Sequence, residues 1–365
     1  MTNFIPGLEL SRLYYEEAVR PILDRHYPGL AHSAALMGSG SEVLGFDTEM
    51  SADHGWGPRA IVFLSEADQA RLADEIRDTF GNELPFTFRG YSTNFEPSPD
   101  DPATYMLRPA AALPIRHRVH VTTLQAYMLS YTGADLSDET TLMDWLTVPE
   151  QKLRALVAGG VFHDGLGVLE PMRRRLAYYP HDVWLYLLSA QWQRIGQEEP
   201  FVGRAGIVGD EIGSAVIAAR LVRDLMRLCL LMEREYTPYA KWIGTAFSRL
   251  ACAARMGPML DAVLRATTWE ERGQHLAAAY EIGAELHNTL GITRPMPTRA
   301  VYFYERPFLV IRGELIAKAI WDAIEDPEVK ALPFGVGRVD QFVDSTDVLD
   351  STGRCAALAE LYKET

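Results

Sequence analysis

Three cysteines in 365 residues, Cys229, Cys252 and Cys355, are too few, odd in number and too widely spaced for a disulfide frame or a Cys-type zinc site. They read as free, buried thiols. No uninterrupted run of about 18 apolar residues occurs, and Met1-Thr2-Asn3-Phe4 has no basic patch followed by an apolar core. Neither a membrane span nor a signal peptide is expected, and the chain reads as cytoplasmic. Basic residues are in deficit: 35 Lys plus Arg stand against 49 Asp plus Glu, a formal net charge of −14. Nucleic acids and anionic lipids are gripped chiefly through phosphate neutralisation, so neither is an expected partner. The nine histidines contain no His-x-x-x-His or His-Glu-x-x-His, and both the P-loop Gly-Lys-Ser/Thr and the third glycine of a dinucleotide fingerprint are missing.

What is present is an ordinary globular composition, 48% hydrophobic and 23% charged, over a length that suggests two domains. From Leu8 to about Tyr27, apolar residues recur at helical spacing, with a bend expected at Pro21. Ala34–Met37 and Arg59–Leu64 read as neighbouring buried strands. Ser65 with Asp68 three residues later resembles a capping box that opens a helix to about Phe80, with Leu72, Ile76 and Phe80 inside. Leu84–Arg89 and Ile115–Thr122 are further strand candidates. After about Thr123 the period becomes helical (123–131, 149–158, 181–195, 210–235, 238–255, 268–289) and strand-like runs nearly vanish, apart from a short extended stretch at Val301–Pro307. The fold class expected is therefore α+β in residues 1–132 and all-α in residues 133–365.

The segment richest in chemistry is Leu36-Met37-Gly38-Ser39-Gly40-Ser41-Glu42-Val43-Leu44-Gly45, followed by Ser51-Ala52-Asp53-His54-Gly55-Trp56-Gly57-Pro58-Arg59. Read physically, a strand ends in small residues, a short helix begins, and its positive end holds phosphate oxygens on the amides of Gly38, Ser39, Gly40 and Ser41. Asp53, twelve residues after Ser41, stands ready to hold a Mg²⁺ ion beside those phosphates. This arrangement resembles the polymerase-β-type nucleotidyltransferase superfamily, whose signature is Gly-Ser, about ten residues, then an acidic-x-acidic pair entering a strand. Over nearly the whole chain, Gly-Ser-Glu-Val-Leu-Gly-Phe-Asp, His181-Asp182-Val183-Trp184, Pro200-Phe201-Val202-Gly203-Arg204, Lys241-Trp242-Ile243-Gly244 and Val339-Asp340-Gln341-Phe342 resemble proteins carrying the DUF4037 domain.

The resemblance implies a nucleotidyltransferase-like N-terminal domain and a helical substrate-binding domain. It also implies Mg²⁺-dependent transfer of a nucleoside monophosphate from ATP or another NTP to a hydroxyl of a small molecule, an aminoglycoside-like compound being one such acceptor. Asp53 would be the metal ligand, and a general base is sought in the helical part, where Asp210 and Glu211 are candidates beside Asp182 and Asp164. Lys241 is a candidate for phosphate contact. The sequence departs from the superfamily in two places: Gly55 stands where the second acid belongs, and the strand expected to supply a third acid, Arg116-His117-Arg118-Val119-His120-Val121, has none. Asp47-Thr48-Glu49 is an alternative acidic triplet, with Glu49 the second metal candidate. The other reading left open is a catalytically degenerate nucleotide-binding or regulatory protein.

Overall fold

A computed structural model describes residues 4–52 and 54–363, so that Asp53 lies outside the described residues. Two compact units are interleaved along the chain: residues 1–140 with 152–177, and residues 141–151 with 178–365.

The first unit opens with helix α1 (Gly7–Tyr14) and α2 (Arg20–His26), joined by one wider helical turn at Tyr15–Val19. Pro21 has no N–H to give and its ring crowds the carbonyl four residues back, and the wider turn answers both. Strand β1 (Ser33–Leu36) pairs antiparallel with β2 (Arg59–Phe63), the two strands expected as neighbours. Ser65 caps helix α3 (Glu66–Glu83), its hydroxyl accepting from Asp68 N at 3.1 Å while donating to the Asp68 carboxylate at 2.9 Å. Ile76 and Phe80 are fully buried on the inner stripe, and Leu72 packs at its border.

The Leu84–Arg89 candidate shrinks to a two-residue strand, β3 (Thr87–Phe88), in a tight hairpin with β4 (Tyr91–Ser92). Arg89 and Gly90 both take positive φ, 52° and 88°, which is the twist a two-residue hairpin loop needs. A second hairpin follows, β5 (Phe95–Pro97) with β6 (Tyr105–Leu107). Strand β7 (Arg118–Thr122) then lies parallel to β2, with Arg59 opposite Arg118. After helices α4 (Leu124–Thr132), α5 (Leu142–Thr147) and α6 (Glu150–Ala158), strand β8 (Gly160–Asp164) returns to pair with β1. The sheet order is β7-β2-β1-β8. Strand β8 lies in the part of the chain where the helical period left strand-like runs nearly absent. Its residues are half-buried throughout, so it carries neither a clear apolar run nor a clean alternation.

One face of this sheet is core. Ala34, Ala60, Val62, Val119 and Val121 pack against Leu10, Tyr14, Ile22, Ile76 and Phe80 from the three helices. By the two-residue period, Arg59, Ile61 and Phe63 with Arg118, His120 and Thr122 occupy the other face. Helix α4 sends Tyr127 there, edge-on to Phe63 at 5.6 Å.

The second unit is helical. After α7 (Leu169–Arg175), which belongs to the first unit, α8 (His181–Ile207) packs against α9 (Glu211–Met232). The helix expected over 238–255 is broken into a single turn, Ala240–Trp242, a short α10 (Ile243–Phe247), and α11 (Ala253–Arg265). Helix α12 (Trp269–Thr289) is capped by Thr268, and α13 (Gly313–Asp322) lies on α8. Gly196 and Gly313 face each other there, since a Cβ on Gly196 would meet the backbone of Glu314 and one on Gly313 the carbonyl of Trp192. Val301–Tyr302 and Leu309–Val310 form a small two-stranded ladder where an extended stretch was expected. All three cysteines are buried thiols, none of them in a disulfide.

Candidate functional site

The glycine segment leaves β1 and turns without starting a helix. Phe46 N donates to Ser41 O at 2.9 Å and Gly45 N to Glu42 O at 3.2 Å, which closes turns where a helical first turn was expected. The amide cradle of a helix N-terminus is therefore not formed here. The cause lies in what packs against the segment. Glu42, 1% exposed, turns inward to pair with Arg59, whose Nε reaches it at 2.8 Å and whose guanidinium also donates to Ser39 O at 2.6 Å. Gly40 sits at φ 145° against this pair, and a Cβ there would strike both Arg59 and Glu42. Gly38, at φ 89°, is pressed by the Tyr127 hydroxyl, which donates to Met37 O at 3.0 Å. Both glycines thus answer a close approach as well as a left-handed backbone.

Strands β2 and β7 begin at this same end of the sheet, and their first residues are arginines in register. Arg59 is held by Glu42 and Ser39. Arg118 has its guanidinium carbon 4.7 Å from the centre of the Tyr105 ring and 5.9 Å from that of Phe95, with no acidic partner among the described residues. Burial, and then the like charge of Arg59, push the Arg118 guanidinium below its ordinary pKa. His120 follows on the same face, its ring 6.3 Å from Tyr127, and is likewise pushed down by burial. An aromatic-backed, cation-lined sheet end of this kind lowers its own electrostatic cost by taking up an anion.

Magnesium asks for several hard oxygen ligands. Among the described residues no group of three or more His, Cys, Asp or Glu side chains is placed to hold a metal. Asp47 is spent on Gly7 N at 2.7 Å and on Trp56 Nε1 at 3.0 Å. Glu49 stands exposed on the single turn Glu49–Ser51. Glu42 belongs to Arg59. The described donor set at this sheet end does not fit a two-metal cage.

In the helical unit, Asp210 is the N-cap of α9, taking Gly213 N at 2.7 Å, and Glu211 pairs with the buried Arg272 while accepting from Trp269 N at 3.2 Å. Lys241 is exposed on its short turn, 5.0 Å from the centre of the Trp242 ring. Asp164, in the first unit, accepts from Ser33 Oγ at 2.7 Å and from the amides of Val168, Leu169 and Glu170. Partial burial raises its pKa, but those hydrogen bonds outweigh it and hold the carboxyl below its ordinary range. Arg220, Arg223 and Arg227 are engaged by Glu198, by Asp344 and by the carbonyl of Asp340.

Sequence reasoning passed over Arg59 and Arg118 as working residues. The available signal was an arginine at the mouth of each of two apolar strands, in a chain otherwise short of positive charge.

Residues 145–243 match the family model described as Domain of unknown function (DUF4037). No curated protein matches the chain. Among solved structures, a nucleotidyltransferase-like protein from Exiguobacterium sibiricum 255-15 is similar to it at 11% identity over 80% of this chain and 83% of that one, with a TM-score of 0.31, too loose a likeness to argue from.

Proposed function

We propose that the first unit binds a nucleotide, ATP or another NTP, through direct arginine contact at the end of its sheet, as a nucleotide-binding or regulatory protein that does not retain transfer chemistry. The observation that carries this reading is the register of Arg59 and Arg118 on the sheet face beside the Gly38–Ser41 turn. A guanidinium fork matches phosphate oxygens and needs no bridging metal. Titration calorimetry with ATP, with and without Mg²⁺, tests it. Saturable binding that survives chelation of Mg²⁺ and weakens about 10- to 100-fold in Arg118→Met is expected, the size of one lost charged contact. No pyrophosphate should be released. Binding indifferent to Arg118→Met overturns the reading.

A second reading keeps Mg²⁺-dependent transfer of a nucleoside monophosphate to a small-molecule hydroxyl. It is favoured by the position of Asp53 in the sequence, twelve residues after Ser41. It predicts Mg²⁺-dependent binding and pyrophosphate release, both lost in Asp53→Asn.

A further inference from the structure

The motif His181-Asp182-Val183-Trp184 is not used by the nucleotide reading. It forms the first turn of α8, which has no side-chain cap, and it borders a cavity of about 640 Å³ within the helical unit. That volume lies in the range of small-molecule sites, roughly 300 to 1,000 Å³. Arg234 and Glu325 line the same cavity.

Arg234 is the informative residue. It follows α9 at φ 57°, a left-handed position at which helices ordinarily place glycine and which strains any residue with a side chain. The turn itself needs only backbone, with Arg234 N donating to Leu231 O at 3.2 Å and Glu235 N to Leu230 O at 2.9 Å. What arginine adds is a guanidinium lying on the Trp184 indole, 3.9 Å from its centre. Trp184 is fixed in turn by Nε1 donating to Leu231 O at 2.8 Å. A contact of the cation with the ring spends none of the guanidinium N–H donors on a carboxylate, and among the described residues no carboxylate pairs with Arg234. On the acidic side of the lining, Asp182 is engaged by the amides of Glu325 and Asp326, at 2.8 and 2.5 Å. The carboxylate of Glu325 is exposed and has no ion pair among the described residues. One lone cation and one lone anion therefore line a single cavity.

We propose that this cavity binds a small dipolar molecule of the amino-acid type, its carboxylate on the Arg234 guanidinium and its ammonium toward Glu325. The site lies wholly in the second unit and is independent of the nucleotide reading. The test is calorimetric titration of the full chain with the twenty amino acids, with the matching acids lacking the amine and amines lacking the carboxylate, and with inorganic phosphate. At least one amino acid should bind saturably, and its two truncated analogues at least about 10-fold more weakly, the size of one lost charged contact. Arg234→Gly should abolish binding while raising the melting temperature, because glycine relieves the left-handed backbone; Glu325→Gln should weaken binding without changing melting. Binding that survives Arg234→Gly, a response to phosphate alone, or no response to any amino acid overturns the proposal.

Discussion

His287 shows how burial sets the behaviour of one residue. It lies near the end of α12, 1% exposed, with Nε2 against Thr293 Oγ1 at 2.9 Å and Nδ1 without a hydrogen-bond partner among the described residues. Burial pushes it down to about 4 from an ordinary value of 6.5. The folded state therefore holds the ring neutral while the unfolded chain takes up a proton first, so the associated stability is full above pH 6.5 and is lost as pH falls from 6.5 towards 4. At about 1.4 kcal/mol per pH unit the loss approaches about 3 kcal/mol. Urea unfolding followed at pH 7 and pH 4 should show this difference between wild type and His287→Gln, the variant being less stable at pH 7 and nearer the wild type at pH 4. Equal pH dependence in the two proteins would remove His287 from the acid response. Glu42 is the opposite case: it stays buried because Arg59 is there to meet it, and in the sequence it looks like an ordinary surface acid beside a turn.

Elements were legible where a local signal and the tertiary demand agree. Ser65 and Asp68 start α3 through contacts only three residues apart, so the sequence alone identifies the cap. Ser65→Ala should cost about 1 kcal/mol in chemical denaturation, with little change in circular dichroism. A cost near zero would mean that tertiary packing alone holds that end. Where the local signal and tertiary demand conflict, the sequence misleads. Gly196 and Pro200 suggest that α8 ends near residue 195, yet the helix runs to Ile207. Gly196 is there to let α13 approach, and Glu199 is drawn in to take the amides of Ile311 and Gly313 at 2.6 and 3.0 Å. The glycine segment after β1 is a similar conflict. Its composition suits a phosphate-cradling helix start, but Arg59, Glu42 and Tyr127 fill the space and fix turns instead.

At the scale of the whole molecule, the two units cannot be cut apart at one point. Residues 152–177 belong to the first unit although helical-unit residues precede them, because β8 supplies the strand beside β1. A fragment of residues 1–140 should lack that pairing, leave β1 as an open apolar edge, and fail to unfold cooperatively in urea or aggregate. A fragment of residues 1–177 should regain a cooperative transition. A cooperative, soluble 1–140 fragment would show that β8 is dispensable.

The sequence by itself determined the entry helix with its bend near Pro21, the individual strands β1 and β2, the capped α3, the thiols outside any disulfide and the change to a helical second part. Each of these rests on contacts within a few residues or on composition. Only the tertiary structure decided that β8 pairs beside β1, that Arg59 and Arg118 stand side by side on one sheet face, and that Arg234 lies on Trp184. Those pairings join residues separated by tens of positions, and no period or spacing in a single chain records which distant side chain will fill the space beside a glycine or above an indole.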